Sequence, residues 1–197
     1  MTETPRPEPQ VKDMDGELLE LQIGPSHPAM HGIIKLDTKV SGETIVEMKV
    51  EVGYLHRAFE KMCEHRTWNQ DIVFTDRLNY VSAPANNCAF VQAVENLAGI
   101  QVPERVKWMR LILTEMSRLA DHLTSVGASA MEMGGFSAYM YLIEAREEIM
   151  MIFDRYCGSR LTTTLSRVGG MVYDFYDGFE ADVAKAFEKA RKWLDEV

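Results

Sequence analysis

The stretch IIKLDTKVSGETIVEMKVEV, residues 33 to 52, alternates apolar and polar side chains almost without interruption. Alternation with a period of two is typical of a strand that has one buried and one solvated face. The break at Ser41-Gly42-Glu43 has the residue types of a hairpin turn. This stretch therefore predicts two antiparallel strands joined by a tight turn.

A further strand is predicted upstream, where apolar and polar residues alternate over 19–23. Between this strand and the hairpin lies GPSHPAMHG, residues 24 to 32. Its prolines and terminal glycines disfavour a regular helix. The segment is therefore predicted to be a loop that carries His27 and His31 between the first two strands.

After the hairpin the apolar spacing changes to three or four residues, which is typical of helices. Helices are predicted near 55–63, over 83–97, from 103 onward, over 138–156 and over 179–197. Gly99 and Gly158 are the predicted stops of two of them. Pro103 and Ser137 are the predicted starts of two others. The helix from 103 has a broad apolar face, and Arg110 is expected on its polar side.

These patterns predict an α+β protein in which a small antiparallel sheet is followed by a helical bundle. The expected divisions are an amino-terminal arm over 1–16, the sheet with its loop over 17–53, and a helical domain over 54–197. The arm is rich in proline and charge, which is typical of flexible segments.

Charge and cysteine content exclude several classes of protein. The chain has 21 basic and 30 acidic side chains, a net charge of −9, which argues against nucleic acid as a partner. The cysteines Cys63, Cys88 and Cys157 form no CxxC pair, so they predict buried free thiols and no self-contained metal site. No apolar run reaches the roughly 18 residues needed to span a bilayer, and the polar start is unlike a signal or transit peptide.

Four residues could carry chemistry. His27 and His31 are either loop residues with satisfied nitrogens or groups that face a ligand carbonyl, since the loop removes the helical geometry of a metal site. Tyr80 either bonds a neighbour or serves a ligand. Glu132 lies among Ala, Met and Gly, an apolar setting in which a carboxylate needs a partner, and a histidine is a natural one. The residues alone leave these alternatives open.

Several motifs follow one another along the chain: GPSHPAMHG, GYLHRAFEKMCEHRT, FTDRLNYVS, AVENLAGIQVPERVKWMRLILTEMSRLADHL, EAREEIM and RVGG. In order and spacing they resemble the amino-terminal half of the 49-kDa (D-type) subunit of respiratory complex I, NADH-quinone oxidoreductase. The resemblance runs from about Leu18 to Phe175. It implies the fold of the related nickel-iron hydrogenase large subunits, and a helical domain that is incomplete over 54–197.

The resemblance also implies a quinone site. The family histidine that meets the quinone headgroup ends the HPxxH motif and corresponds to His31, with His27 as a supporting loop residue. The tyrosine that ends the DRxxY motif bonds the other headgroup region and corresponds to Tyr80. A family aspartate in ALDxG pairs with the loop histidine, and AMEMG places Glu132 there, one methylene longer. The expected catalytic residues are therefore His31, Tyr80 and Glu132.

Cofactors and partners are implied in the same way. Electrons are expected from a 4Fe-4S cluster held by a neighbouring B-type subunit, because this chain offers no cysteine ligand set. Family arginines that match Arg57 and Arg77 lie close to that cluster, whereas a family histidine near it is replaced by Thr162. The C-type and membrane H-type subunits are further expected partners. NADH is expected to bind elsewhere in the complex, since no GxGxxG follows a strand.

Two other functions share the expected fold. Hydrogenase large subunits bind their metals through RxCGxC, whereas residues 77–82 read RLNYVS, so soft metal ligation fails here. A non-catalytic scaffold subunit of a related membrane-bound hydrogenase-like complex is the second alternative, to which Glu132 and Thr162 point. His31 and Tyr80 favour quinone reduction coupled to ion translocation. The expected location is the cytoplasmic face of the bacterial inner membrane, as a peripheral subunit.

Overall fold

The computed structural model describes residues 18–28 and 30–197. The chain divides into two compact units, Met1–Phe59 and Glu60–Val197. The first is built on strands and the second mainly on helices, which is the α+β architecture that the sequence predicts. The predicted arm over 1–16 lies outside the described residues.

Within the described part of the first unit, three antiparallel strands pair in the order of the chain: β1 (Leu19–Ile23), β2 (Lys35–Ser41) and β3 (Thr44–Glu51). Gly42 turns the chain between β2 and β3 with a φ of 61°, in the left-handed region that favours glycine. The register places Leu21, Thr38 and Met48 opposite one another, so the alternating residues share a face. The predicted strands and hairpin are confirmed.

After the sheet come two short helices, α1 (Phe59–Cys63) and α2 (Trp68–Thr75). A 3-10 turn (Tyr80–Ser82) then leads into the longer helix α3 (Ala83–Ala98). The first helix begins only at Phe59, because Ala58 has a φ of 55°, outside the helical region. α2 is absent from the sequence prediction. Its start is closed by a hydrogen bond from the Thr67 N–H to Gln70 Oε1 at 3.1 Å. α3 agrees with the prediction, with Gly99 ending it in a left-handed conformation.

The long helices are α4 (Glu104–Glu132), α5 (Phe136–Cys157) and α6 (Phe179–Asp195). Gly158 ends α5 in a left-handed conformation, as predicted. The predicted cap at Ser137 is wrong, because the helix already begins at Phe136. The carbonyl oxygen of Gly135 accepts a hydrogen bond from the Tyr139 N–H at 3.2 Å, which makes Gly135 the capping residue.

The core of the second unit lies between α4, α5 and α6. Leu113 of α4 and Ile149 and Phe153 of α5 are fully buried there. Ala186 and Ala190 let α6 approach closely, since small side chains leave room for the facing helix. Burying a large apolar side chain contributes roughly 1.5–3 kcal/mol. This core therefore holds α4, α5 and α6 together.

A short hairpin lies between α5 and α6. Its strands are β4 (Ser166–Arg167) and β5 (Gly170–Met171), and the RVGG motif forms its turn. The hairpin packs against α2, α3 and α4. The hairpin therefore packs against helices that come much earlier in the chain than the hairpin itself.

Candidate functional site

The loop between β1 and β2 carries two of the predicted quinone residues. His27 and His31 are both exposed. Within the loop, the Met30 N–H donates a hydrogen bond of 3.0 Å to the His27 carbonyl oxygen. Gly24 lies at the base of the loop with a φ of 89°, where a Cβ would come within 2.1 Å of the Ile34 carbonyl oxygen. The loop is therefore closed tightly at its base and presents its imidazoles at the surface.

Arg57 lies in the connection between β3 and α1 and is also exposed. A turn precedes it, in which the His56 N–H donates to the Gly53 carbonyl oxygen at 3.0 Å. The first unit thus carries an exposed cation in addition to the histidine loop.

Arg77 and Tyr80 lie in the connection between α2 and α3. Tyr80 begins the 3-10 turn and is 57% exposed. Arg77 follows the last turn of α2, and its Nη1 donates to the Val73 carbonyl oxygen at 2.9 Å. One short connection therefore presents both a phenol and a guanidinium group.

This α2–α3 connection is bonded to α4 on both sides of Tyr80. Asn79 Nδ2 donates to Asp121 Oδ2 at 3.2 Å. The hydroxyl groups of Ser82 and Ser117 are hydrogen-bonded at 3.1 Å in a buried position. Because the neighbours of Tyr80 are tied to a long helix, its exposed side chain extends from a fixed backbone.

Glu132 is the last residue of α4, and its side chain is exposed. The helix closes just beyond it, where the Gly135 N–H donates to the Ala130 carbonyl oxygen at 2.8 Å. The expectation that this carboxylate has a histidine as its partner stays a prediction.

The predicted site residues are divided between the two units. Met1–Phe59 contains His27, His31 and Arg57, whereas Glu60–Val197 contains Arg77, Tyr80 and Glu132. The structure brings His27 and His31 together on one loop and Arg77 and Tyr80 together on one connection.

A buried ion pair that the sequence patterns do not predict holds the RVGG hairpin. Arg110 is only 3% exposed and bonds Glu95 of α3 through two hydrogen bonds of 2.7 and 2.8 Å. Its Nη2 also donates to the carbonyl oxygens of Arg167 and Gly170 at 2.9 and 3.1 Å. Glu95 Oε1 accepts from the Gly169 N–H at 2.7 Å. The prediction that Arg110 lies on the polar side of its helix is therefore wrong.

The ion pair changes the acidity of its carboxyl group. The hydrogen bonds from Arg110 lower the pKa of Glu95, against the opposing effect of burial, and the Gly169 N–H lowers it further. Glu95 is therefore ionised at neutral pH in spite of its burial. The signal in the sequence was an arginine inside the apolar run WMRLIL, with a glutamate inside AVENLAG.

The thiols are poor candidates for metal ligands. Cys88 is buried as predicted, whereas Cys63 and Cys157 are half-buried. Burial is the main cause that raises the pKa of each of the three thiols, so they are protonated at neutral pH. Residues 18–28 and 30–197 contain no group of three or more His, Cys, Asp or Glu side chains that could hold a metal ion.

None of the described helices combines the length and the apolar character needed to cross a membrane.

Comparison with known proteins shows which family the chain resembles. Residues 132–197 match the family described as respiratory-chain NADH dehydrogenase, 49 Kd subunit. A D-type subunit of NADH-quinone oxidoreductase from Anaeromyxobacter sp. strain Fw109-5 is 45% identical over 181 residues, which cover 92% of this chain and 42% of that relative. Over most of its length the chain is similar to D-type subunits of this 49-kDa family. The resemblance carried by the ordered motifs is therefore confirmed.

Two further members of the 49-kDa subunit family show how much of the relatives is matched. The D-type subunit of NADH-quinone oxidoreductase from Myxococcus xanthus strain DK1622 is 42% identical over 203 residues, covering 99% of this chain and 49% of the relative. The relative from Bdellovibrio bacteriovorus strain HD100 is named as a C/D subunit of the same enzyme and is 44% identical over 184 residues. The match covers 93% of this chain and 33% of that relative. The chain thus spans between a third and a half of the lengths of these relatives.

Proposed function

We propose that this chain forms the quinone-reduction site of an NADH-quinone oxidoreductase whose electron transfer is coupled to ion translocation. His31, Tyr80 and Glu132 are the proposed catalytic residues, and His27 helps to bind the quinone. The observation that supports the proposal most directly is the exposure of His31 and Tyr80 on two segments of constrained backbone. The names of the relatives in the 49-kDa subunit family support the same reaction.

Reduction of a quinone to a quinol takes up two electrons and two protons. The imidazole of His31 can donate a hydrogen bond or a proton to one carbonyl oxygen, and the phenol of Tyr80 can do so to the other. An imidazole suits this task because it gains and loses a proton near neutral pH. The carboxylate of Glu132 stabilises the protonated imidazole as its partner. The chain therefore supplies the two proton donors that the two quinone oxygens need.

The electrons are assigned to a 4Fe-4S cluster on a neighbouring B-type subunit, which supplies them one at a time. Arg57 and Arg77 are proposed to lie near the cluster, where their positive charge raises its reduction potential. Their exposure in this chain is compatible with that position.

The proposed neighbours are the B-type, C-type and membrane H-type subunits of the complex. The C/D designation of the Bdellovibrio relative supports the C-type partner, because it joins the two subunit types in one chain. NADH is oxidised elsewhere in the complex. The proposed location is peripheral, on the cytoplasmic face of a bacterial inner membrane.

Replacement of His31 with alanine, or of Tyr80 with phenylalanine, in the assembled complex is expected to lower quinone reduction by about 100-fold or more. The reason is that each change removes a positioned proton donor, an effect of roughly 10²–10⁴ in rate. Electron transfer from NADH to an artificial acceptor is expected to remain. Both rates are measured in membranes after native gels have shown assembly.

Matched controls are His65→Ala and Tyr173→Phe. Both control residues are exposed, Tyr173 to 52%, and neither is proposed to contact the quinone. Unchanged quinone reduction in an assembled His31→Ala or Tyr80→Phe complex would contradict the proposal and favour the non-catalytic scaffold function.

A further inference from the structure

A buried carboxylate joins two distant segments of the second unit. Asp76, the residue after α2, is 0% exposed. Its Oδ1 accepts hydrogen bonds from the Thr164 N–H at 3.3 Å and from Asn87 Nδ2 at 2.8 Å, and its Oδ2 accepts one from the Thr164 hydroxyl group. Burying a carboxylate is costly unless donors of this kind replace water. The Thr164 bonds therefore tie the end of α2 to a residue 88 positions later.

Asn87 of α3 extends this connection in both directions. Its Oδ1 accepts a hydrogen bond from the Leu165 N–H at 3.2 Å, and its Nδ2 also donates to Thr75 Oγ1 at 2.8 Å. Asn87 and Thr75 are both buried. Thr75, Asp76, Asn87, Thr164 and Leu165 thus form one hydrogen-bonded group, the Asp76 cluster.

Thr164 is held in a conformation that threonine rarely adopts. Its φ is 46°, in the left-handed region, where a β-branched side chain is a genuine outlier. Such a backbone persists only when its surroundings determine it strongly. Here the N–H and the hydroxyl group of the same residue are both bonded to Asp76. The bonds to Asp76 therefore hold the segment around Thr164 in one orientation, although this conformation lowers the stability of the fold.

The Asp76 cluster lies between the segment that carries Arg77 and Tyr80 and the segment that carries Thr162. Arg77 directly follows Asp76, and Tyr80 lies in the same connection. Thr162 stands two positions before Thr164, and the hydroxyl group of Ser159 donates to its carbonyl oxygen at 2.9 Å. The segment with Arg77 and Tyr80 and the segment with Thr162 are therefore fastened to each other through a single carboxylate.

We propose that Asp76 is a positioning residue of the quinone site, which fixes the segment of Arg77 and Tyr80 by bonding it to Thr164. This inference rests on the proposed function of Tyr80. Asp76 acts through the backbone on which Tyr80 is carried and does not itself contact the quinone. Loss of the Thr164 bonds leaves the Tyr80 phenol chemically unchanged but makes its position less fixed.

The test uses the assembled complex in membranes with Thr164→Val, which keeps the shape of the side chain and removes the hydroxyl donor. The quinone KM is expected to rise several-fold, while the rate from NADH to an artificial acceptor remains at the wild-type value. Thr164→Ser restores the donor and is expected to restore the KM. Thr124→Val is the matched control, because it removes a threonine hydroxyl whose bond runs to Ala120 within α4.

Hydrogen-deuterium exchange of the same complexes gives a readout that does not depend on quinone chemistry. In Thr164→Val, exchange is expected to rise together in peptides that cover 76–82 and 162–166, and to stay unchanged in Thr124→Val. Where Thr164→Val fails to assemble, Asp76→Asn provides the same measurements, since it keeps the size and one acceptor oxygen of the side chain.

Three outcomes would overturn the inference. Exchange that rises only over 162–166 would show that the two segments are not fastened together. If Thr164→Val increases exchange in both segments but keeps the wild-type quinone KM, while Tyr80→Phe lowers quinone reduction, Asp76 has a purely structural role. The proposed function would then remain intact. Wild-type quinone reduction in His31→Ala and Tyr80→Phe would remove the proposed function itself, and the positioning role with it.

Discussion

Replacement of Arg110 with methionine is expected to lower the free energy of unfolding by about 3–5 kcal/mol, the usual cost of removing one partner of a buried ion pair. Methionine has a similar length, so little space is left empty. Glu95 would keep its charge in a buried position without its partner. The carbonyl oxygens of Arg167 and Gly170 would lose the same donor. Urea unfolding of the wild-type and variant chains measures the difference.

Arg118→Met is the matched control for this prediction, because it makes the same change on the same helix. Arg118 is bonded to Glu115 at the surface, with a side chain that is 59% exposed. Exposed pairs contribute at most about 1 kcal/mol. Equal losses in Arg110→Met and Arg118→Met would contradict the assigned role of the buried pair.

The stability that Glu95 contributes is expected to depend on pH. Its pKa is lower in the folded chain than in the unfolded chain. The contribution is therefore fully present above the ordinary glutamate pKa of about 4.3 and is lost as the pH falls through the folded value. Glu95→Gln should be much less stable than wild type at pH 7, with a difference that shrinks in acid. A constant difference between pH 7 and pH 3 in urea unfolding would contradict this linkage.

Replacement of Gly24 with alanine is expected to lower quinone reduction as much as His31→Ala does, although it removes no imidazole. An alanine Cβ would lie 2.1 Å from the Ile34 carbonyl oxygen, a distance at which the backbone must move. The φ of 89° adds strain of roughly 1–3 kcal/mol for a residue with a Cβ. Both ends of the histidine loop would shift, because Gly24 and Ile34 close its base. Quinone reduction in the assembled complex is the measurement.

Gly42→Ala separates the steric effect from the strain. Gly42 also has a positive φ, of 61°, but a Cβ there meets no atom within 4 Å. This variant should lose some stability and keep its quinone reduction. Similar activities of Gly24→Ala and Gly42→Ala would show that the loop base tolerates the displacement.

The parts of the fold that were predictable are those that local periodicity determines. The alternation over 19–23 and 33–52 marks the sheet because each strand has one apolar face. The long helices are marked by apolar spacing and by Gly99 and Gly158. α2 was missed because it is only 8 residues long, although Thr67 and Gln70 have the sequence spacing of a capping box.

The candidate site divides in a similar way. His27, His31 and Tyr80 were identified because their motifs are local in sequence and characteristic of the 49-kDa subunit family. The roles of Arg110 and Asp76 were not predictable, because each also bonds the segment from Thr164 to Gly170, which lies 57 to 88 positions away along the chain. Sequence neighbours describe a residue's surroundings poorly when tertiary packing decides them.

The spacing of the buried bonds also implies an order of folding. Glu95 and Arg110 are 15 positions apart, so the α3–α4 pair can form early, when little of the chain is ordered. The segment from Thr164 to Gly170 closes loops of 57 to 88 positions onto that pair and onto Asp76, at a larger entropic cost. We therefore expect this segment to dock last during folding.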